Sequence, residues 1–336
     1  MKEVRLYQSL DEGSVQCRTC AHYCVLLENQ FGVCGVRQNI KGRLFSHVYG
    51  KLIASHVDPI EKKPLFHFLP GSRAFSVATV GCNMHCHNCQ NADISQMPKE
   101  QGLIQGQAYS PEDLIRAALQ SQSQVMAYTY TEPAAYWDYA FDTARLAKQN
   151  GLKNIFVTNG YLSEDSLKEI VPFLDGANVD LKFFDDTTYR KICGAKLQPV
   201  LDAISGMRDL GIWVEVTTLL IPGLNDDEAT LSGIAQYIKK VDASMPWHIS
   251  RFHPTYKMLD RPITSAQSLQ KAREIGLEAG LEFVYTGNLP GDEGENTFCP
   301  ICGTQLIERV GFTVRKNKLN HHSCPNCGSV LAGIWE

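Results

Sequence analysis

The strongest constraint on this chain is one loop with the spacing C-x3-C-x2-C, formed by Cys82, Cys86 and Cys89. Cysteine thiolates bind iron–sulfur clusters, and three of them leave one iron of a four-iron cubane free for another ligand. Residues 73–80 are rich in β-branched and aromatic side chains and predict a strand just before the loop. Barrel enzymes place their active sites on such loops, which favours a cluster with an open iron. A zinc site completed by His85 or His87 is the alternative.

Eleven of the twelve cysteines fall into three groups of four, three and four. The chain shows no export signal, so these groups indicate metal sites and not disulfides. The first group has the spacing C-x2-C-x3-C-x9-C and consists of Cys17, Cys20, Cys24 and Cys34. Four thiolates suit a closed zinc site or an auxiliary iron–sulfur cluster, and spacing does not separate the two. We favour zinc, with free buried cysteines as a further alternative.

The last group contains two C-P-x-C-G motifs and consists of Cys299, Cys302, Cys324 and Cys327. Paired motifs of this kind predict a zinc ribbon, with a mononuclear iron as the alternative. A unit this short builds little core, so metal binding would supply much of its folding free energy. The remaining cysteine, Cys193, is interpreted as a small buried residue. The alternative for Cys193 is a thiol close to the reactive site.

Composition narrows the class of protein further. The 336 residues carry a net charge of −4, which argues against a nucleic-acid partner bound by bulk charge. The N-terminus has no apolar segment typical of a signal peptide. No apolar run approaches the ~20 residues needed to cross a bilayer. We therefore expect a cytoplasmic protein without a membrane partner.

The middle of the chain alternates between predicted strands and helices, which indicates parallel strands joined by crossover helices. The predicted strands are residues 74–80, 125–130, 154–158, 177–182, 212–219, 247–252 and 281–285. No G-x-G-x-x-G follows the first of them, which weighs against a doubly wound dinucleotide-binding sheet. Six or seven strands favour an α/β fold with a partial (β/α)6-type barrel. Helix starts are expected at Ser110-Pro111 and, as a capping box, at Thr264 with Gln267.

This pattern predicts three units. Residues 1–70 would form an N-terminal cysteine-rich metal-binding unit, which ends in a proline-containing connector over residues 57–68. Residues 71–290 would form the partial barrel, and residues 291–336 the C-terminal zinc ribbon.

The C-x3-C-x2-C loop after a strand resembles that of the radical S-adenosylmethionine (SAM) superfamily. The resemblance implies that Cys82, Cys86 and Cys89 bind a [4Fe–4S] cluster whose open iron is chelated by SAM. It further implies reductive cleavage of SAM to methionine and a 5′-deoxyadenosyl radical. The superfamily usually has an aromatic residue before the last cysteine, near the adenine, whereas this chain has Asn88.

The same resemblance implies which residues bind SAM. Thr131 and Glu132 match a G-G-E-P-like stretch that binds the SAM amino group. Thr158 lies in V-T-N-G, which is similar to the D-T-N-G of glycyl-radical activases, a subfamily of the radical SAM enzymes. Asp180 and Lys182 match the D-L-K of the activases, where the aspartate borders a cation beside the SAM carboxylate.

Two further positions are interpreted through the activases. Thr217 stands where they place an arginine, so Glu215 is expected to line the pocket in its stead. His253 matches a histidine that contacts SAM in the activases.

Taken along its whole length, the chain resembles the radical SAM proteins of AmmeMemoRadiSam systems, which are also described as pyruvate formate-lyase activating enzyme homologues. This implies a flavodoxin- or ferredoxin-like reductant and, as partners, Memo-family and Ammecr-type proteins. The substrate is expected to be a small molecule or a macromolecule other than a glycyl-radical enzyme. The alternatives are a glycyl-radical activase and a non-enzymatic redox sensor that binds a partner through its cysteine units.

Overall fold

Small antiparallel sheets form the N-terminal part of the computed structural model, which describes all of residues 1–336. Its strands are β1 (Lys2–Glu3), β2 (Tyr7–Ser9), β3 (Val15–Cys17), β4 (Val25–Leu26), β5 (Arg37–Ile40), β6 (Arg43–Ser46) and β7 (Lys51–Leu52). Strands β1, β6 and β5 form one sheet, and β2, β3 and β4 form another. Val15, Leu26 and Leu44 pack between them as a small separate core.

A single large sheet forms the centre of the molecule. The strands in this region are β8 (Ala54–Pro59), β9 (Arg73–Ala78), β10 (Gln107–Ala108), β11 (Val125–Tyr128), β12 (Lys153–Thr158), β13 (Gly176–Asp180), β14 (Trp213–Leu220), β15 (Trp247–Arg251) and β16 (Val284–Gly287). The sheet has the order β16-β15-β14-β13-β12-β11-β9-β8, and β10 instead pairs with β7.

The order of these strands distinguishes a barrel type of winding from a doubly wound sheet. Seven strands, β9 and β11 to β16, are parallel and lie side by side in chain order, whereas β8 is antiparallel to β9. A doubly wound sheet reverses its order at a switch point, and this sheet does not. Strands β8 and β16 are at opposite edges, so the sheet is open. All seven predicted strands are present, one parallel strand more than the (β/α)6 type.

The helices lie between these strands, as the alternating pattern predicts. They are α1 (Ala92–Ser95), α2 (Met97–Glu100), α3 (Pro111–Gln120), α4 (Trp137–Gln149), α5 (Glu164–Ile170), α6 (Asp186–Thr188), α7 (Leu197–Asp209), α8 (Glu228–Val241) and α9 (Ala266–Glu278). Trp137 of α4 and Trp247 of β15 are among the largest side chains of the main core. None of the helices combines the length and the apolar composition that crossing a bilayer requires.

One predicted helix start is confirmed and the other is shifted. Ser110 caps α3 by accepting from the N–H of Asp113 at 3.1 Å, and Asp113 accepts from the N–H of Ser110 at 3.0 Å. The capping box predicted at Thr264 is wrong, because Ser265 caps α9 and accepts from the N–H of Ser268 at 3.0 Å. The hydroxyl of Thr264 is buried and donates to the backbone of β14 instead.

The segment predicted as a connector, residues 57–68, is structured in a different way. Its first residues belong to β8, so the central sheet includes residues that precede position 71. The backbone N–H groups of Phe66 and His67 donate to the carboxylate of Glu215 at 2.9 and 2.8 Å. Glu215 is fully buried and anchors this segment to β14. The expectation that Glu215 lines the pocket is therefore wrong, because its oxygens are used inside the core.

The C-terminal part is a three-stranded antiparallel sheet that packs against the same segment. Its strands are β17 (Thr297–Phe298), β18 (Gln305–Val310) and β19 (Thr313–Asn317). Arg309 of β18 is fully buried and donates to the carbonyl of Phe66 at 2.8 Å. The N–H of Leu69 donates to the carbonyl of Ile334 at 2.7 Å. These contacts attach the C-terminal unit to the central sheet through residues 66–69.

Candidate functional site

A large cavity opens at the carboxyl ends of the parallel strands and measures about 580 Å³. The loops that follow five of the seven parallel strands line it, and β14 and β15 contribute residues from the strands themselves. Residues before β9 and in the C-terminal unit complete the wall. A volume of this size is typical of sites for small organic ligands, which cover about 300–1,000 Å³. The cysteine loop and most of the predicted SAM-binding residues share this wall: Cys82, Cys86, Cys89, Thr131, Glu132, Thr158, Asp180 and Lys182.

The loop with the three cysteines is held by a tight turn after β9. Gly81 has a φ of +100°, and a Cβ there would lie 2.6 Å from Val36, so only glycine fits. The N–H of Met84 points at the sulfur of Cys82 at 3.4 Å. Cys89 lies 3.2 Å from the hydroxyl of Ser95. Burial raises the pKa of Cys82 and Cys89, and these two contacts oppose the shift by favouring the thiolate, which is the form that binds iron.

Cys193, the cysteine outside the three groups, lies in a segment that holds the cysteine loop by backbone hydrogen bonds. The carbonyl of Cys193 accepts from the N–H of His85 at 3.0 Å, and the neighbouring carbonyl of Ile192 accepts from the N–H of His87 at 3.0 Å. Cys193 is fully buried, as its interpretation as a small core residue predicts. Cys193 also lies close to the cysteine loop, as the alternative interpretation predicts. Its thiol contacts Cys86 and, together with burial, raises the pKa of Cys86.

Glu132 joins two of the loops that form the cavity. One carboxylate oxygen accepts from the hydroxyl of Thr158 at 2.8 Å and from the N–H of Ala134 at 3.0 Å. The other accepts from the N–H of Asn159 at 2.8 Å and has a lone pair left. Burial raises the pKa of Glu132 to about 7, although these donors oppose the shift. The neighbouring Thr131 donates to the carbonyl of Thr79 at 2.8 Å.

Asp180 and Lys182 form an ion pair at the end of β13, with Lys182 Nζ 2.7 Å from Asp180 Oδ2. Burial disfavours the charged form of Lys182, but Asp180 and the thiols of Cys86 and Cys193 raise its pKa well above the ordinary value. The ammonium group is therefore a fixed positive charge on the cavity wall beside the cysteine loop. This position suits an anionic group of a bound ligand.

Three buried polar atoms of the cavity wall have no hydrogen-bond partner within the chain. They belong to Asn88 (Oδ1), Thr217 (Oγ1) and Glu61 (Oε2). Buried polar groups are nearly always paired in folded proteins, so unpaired ones around a cavity indicate a polar ligand. Asn88 and Thr217 are also two of the positions at which this chain departs from the radical SAM and activase patterns.

The structure does not bring His253 to this cavity. His253 follows β15 but is exposed, and it is absent from the cavity wall. The histidine on the wall is His248, which lies earlier on β15 and contacts Glu215 at 2.7 Å. Sequence reasoning missed His248, and alternation along β15 is the only signal that would have indicated it. It also missed Asn288, Glu295 and Phe312, whose loops reach the cavity only through tertiary packing.

The four cysteines of the last group are arranged as a compact metal site. The sulfurs of Cys299 and Cys327 are 3.6 Å apart, and those of Cys302 and Cys324 are 3.7 Å apart. All four lie within 4.8 Å of one another. Tetrahedral Zn²⁺ with Zn–S bonds of about 2.3 Å requires sulfurs about 3.8 Å apart. Hydrogen bonds from Thr304 and Asn326 lower the pKa of Cys302 to about 5, so its thiolate is available at neutral pH.

The donor set at the main cavity fits a radical SAM centre. Three cysteine sulfurs face a space that is large enough for a second ligand, and no fourth cysteine belongs to its wall. This leaves an open position of the kind that a [4Fe–4S] cluster uses to bind SAM. The carboxylate of Glu132, deprotonated above its pKa of about 7, and the ammonium of Lys182 supply opposite charges in the same space.

Comparisons with known proteins agree with this arrangement. The family model of the radical SAM superfamily matches residues 76–232. The chain is 41% identical over 334 residues to the uncharacterized protein MJ0808 of Methanocaldococcus jannaschii, covering 98% of this chain and 99% of that protein. It is 23% identical over 225 residues to the pyruvate formate-lyase-activating enzyme of Clostridium pasteurianum, covering 63% of this chain and 91% of that enzyme.

A solved structure shares the fold. The Streptococcus suis protein SuiB, bound to S-adenosylmethionine, superposes with a TM-score of 0.53 at 11% identity, covering 72% of this chain and 56% of that one. At this identity the likeness concerns the fold alone. Together with the cysteine loop, the cavity and the sequence relatives, it supports one conclusion: the chain belongs to the radical SAM superfamily and is a radical SAM enzyme related to its activating enzymes.

Proposed function

We propose that this enzyme cleaves SAM reductively and uses the resulting 5′-deoxyadenosyl radical to abstract hydrogen from a second substrate. Cys82, Cys86 and Cys89 would hold a [4Fe–4S] cluster, which would supply the electron for this cleavage after reduction by an external donor. The observation that carries the proposal is that these thiols share one cavity with Glu132 and Lys182, groups of opposite charge. SAM carries an ammonium and a carboxylate at its methionine end. The carboxylate of Glu132 matches the ammonium of SAM, and the ammonium of Lys182 matches its carboxylate.

The residues of the chain have separate tasks in this proposal. The free lone pair of Glu132 accepts from the SAM ammonium, while Thr158 and Asn159 hold the carboxylate in place. Lys182 faces the SAM carboxylate, and Asp180 orients the ammonium group of Lys182. Asn88 and Thr217 offer unpaired polar atoms to the rest of SAM. The low dielectric of the buried wall strengthens each of these contacts.

The second substrate would contact residues of the cavity that lie outside the parallel strands. Lys62, Glu295 and Phe312 line the wall and come from segments outside the parallel strands. The loops after the strands contain the residues that we assign to SAM, so these other segments remain for the second substrate. We infer that they select this substrate, which is a small molecule or a segment of a macromolecule. As part of the same proposal, the resemblance of the sequence to radical SAM proteins of AmmeMemoRadiSam systems implies a flavodoxin- or ferredoxin-like reductant and Memo-family and Ammecr-type partners.

A glycyl-radical activase is the second candidate function. The specific observation in its favour is the similarity to the pyruvate formate-lyase-activating enzyme over 63% of this chain. In that case the substrate would be a glycine of a partner protein, and the C-terminal unit would form part of the docking surface.

Isotope tracing distinguishes these candidates. The reduced enzyme would be incubated with SAM and with lysate fractions grown in ordinary or deuterated medium, and 5′-deoxyadenosine would be analysed by mass spectrometry. Deuterium delivered by a small-molecule or RNA fraction, or by a protein position other than glycine, is the expected result. Deuterium delivered by a protein glycine would establish the activase. An intact cluster that produces no 5′-deoxyadenosine with any fraction would contradict both and favour a redox sensor.

A further inference from the structure

The first cysteine group surrounds an enclosed cavity of its own. All four of its cysteines line the wall: Cys17, Cys20, Cys24 and Cys34. Gly32 lies beside them, and a Cβ there would sit 3.8 Å from the sulfurs of both Cys24 and Cys34. The absence of a side chain at Gly32 therefore leaves space next to the sulfurs. Four thiols around one enclosed space are the ligand set of a metal centre.

The spacing of the sulfurs separates a single zinc ion from an iron–sulfur cluster. Around one Zn²⁺ all four sulfurs would stand about 3.8 Å apart. In the C-terminal group two pairs stand 3.6 and 3.7 Å apart, and all four sulfurs lie within 4.8 Å of one another. No three sulfurs of the first group lie within 4.8 Å of one another, and the same is true of Cys82, Cys86 and Cys89. In a four-iron cubane each cysteine binds a different iron, so the sulfurs stand farther apart. The first group therefore resembles the radical SAM loop and not the ribbon.

From this difference we propose that Cys17, Cys20, Cys24 and Cys34 hold a second four-iron iron–sulfur cluster. This replaces the zinc ion that the cysteine spacing alone led us to favour. The inference goes beyond the proposed function, because it assigns a metal centre that SAM cleavage does not itself require.

The charge around the site suits such a centre. Arg37 is 2% exposed, and its Nη1 lies 3.8 Å from the sulfur of Cys17. Its Nη2 donates to Asp138 at 3.0 Å, and its Nε has no partner. A metal group bound by four thiolates keeps a net negative charge in the protein interior. The buried guanidinium of Arg37 offsets that charge.

The second site lies next to the radical SAM loop. Asn83 lines the cavity of the first group and directly follows Cys82 in the chain. The side-chain oxygen of Asn83 accepts from Asn159 at 2.8 Å, and the same Asn159 nitrogen lies 3.8 Å from the sulfur of Cys82. One residue thus borders both sites. Two clusters so placed would exchange single electrons, which a flavodoxin- or ferredoxin-type donor supplies by becoming oxidised.

Removing the radical SAM cluster tests the second site without any use of SAM. The triple variant C82A/C86A/C89A keeps the first cysteine group intact and would be reconstituted anaerobically with iron and sulfide. We expect about half of the iron and sulfide of the unmodified enzyme, and a reduced-cluster electron paramagnetic resonance (EPR) signal that SAM does not change. A variant that binds no iron, or that gains zinc at the first group, would overturn the proposal.

A reciprocal variant tests the position of the second cluster. C20S/C24S should retain the other half of the iron, with an EPR signal that does change on addition of SAM. The reduced unmodified enzyme should then give a spectrum broader than the sum of the two variants, because neighbouring paramagnets interact. A spectrum equal to that sum would refute the neighbouring position. C302S serves as the matched control, since it should lose zinc and keep all of the iron.

Discussion

Single residues of the cavity decide how SAM would be held. The carboxylate of Glu132 and the ammonium of Lys182 have chain partners that fix their positions, whereas Asn88 and Thr217 keep polar atoms without partners. Glu132 and Lys182 are already fixed by the chain, so they position a ligand at little cost in reorganisation. Asn88 and Thr217 gain a hydrogen bond only when the ligand binds. Substitutions at the two kinds of position should therefore differ in their effect on folding.

Replacing Asn88 by alanine should weaken SAM binding without loss of the cluster. One hydrogen bond to a buried acceptor contributes about 1 kcal/mol, so the dissociation constant for SAM should rise roughly five- to tenfold. Isothermal titration of the reconstituted enzyme under anaerobic conditions measures this change. Iron content and thermal stability should remain those of the unmodified enzyme. An unchanged affinity would show that Asn88 does not contact SAM.

Replacing Glu132 by glutamine keeps the size of the side chain but removes its negative charge. The SAM ammonium then loses an ionic partner, and binding should weaken by at least about tenfold, or ~1.4 kcal/mol. Glu295→Gln is the matched control, since Glu295 is another carboxylate of the cavity wall that accepts from two backbone N–H groups. Equal losses for the two variants would contradict a specific role for Glu132.

At the scale of elements, the radical SAM loop and the C-terminal cysteine group differ in how their backbone is supported. The radical SAM loop follows β9 and is held by backbone bonds to Ile192 and Cys193. The C-terminal group instead lies at the turns of a small three-stranded sheet, β17 to β19, with little core of its own. Its fold should therefore depend on a bound metal ion much more than the central sheet does.

Replacing Cys302 by serine should abolish zinc binding by the C-terminal unit. The loss should increase amide hydrogen exchange in β18 and β19, because these strands lose the ion that ties their turns together. Elemental analysis and hydrogen-exchange mass spectrometry measure the two effects. Exchange in β11 and β12 of the central sheet serves as the internal control. Unmodified protein that contains no zinc, yet shows full protection of β18, would contradict this prediction.

At the scale of the whole molecule, residues 66–69 join the central sheet to the C-terminal unit. The ring of His67 contacts the hydroxyl of Tyr285 on β16 at 2.6 Å and the carbonyl of Ala332 at 2.8 Å. His67 is completely buried, and burial lowers its pKa to about 4. The neutral imidazole is thus part of the packing between three distant parts of the chain.

This burial predicts a loss of stability in acid. The unfolded chain binds a proton at His67 below a pH of about 6.5, whereas the folded chain resists protonation down to about 4. The free energy of unfolding should therefore fall as the pH drops from 6.5 towards 4, by roughly 3 kcal/mol at most from this residue. Denaturant titrations across this range measure the change. The variant His67→Gln should be less stable at neutral pH, and its free energy of unfolding should depend less on pH between 6.5 and 4. An unaltered pH dependence would show that His67 does not cause the loss of stability in acid.

Much of the architecture was predictable because its signals are local. The seven parallel strands follow from β-branched and aromatic runs separated by helical segments, and each is present in the structure. The start of α3 follows from Ser110 and Pro111, whose capping chemistry acts within one turn. The start of α9 was displaced by one residue because Thr264 and Ser265 are both competent caps. Only tertiary contacts with β14 remove Thr264 from that role.

The sequence by itself predicted the superfamily and the central sheet, and it placed Cys82, Cys86 and Cys89 in one loop, because these features depend on spacing within single loops and strands. Tertiary structure decided which distant side chains meet. It buried Glu215 under residues 66 and 67, left His253 exposed, and brought Phe312 to the cavity. It also set the distances between sulfurs, which cysteine spacing along the chain does not determine. Those distances distinguish the C-terminal group, whose four sulfurs lie within 4.8 Å of one another, from the first group.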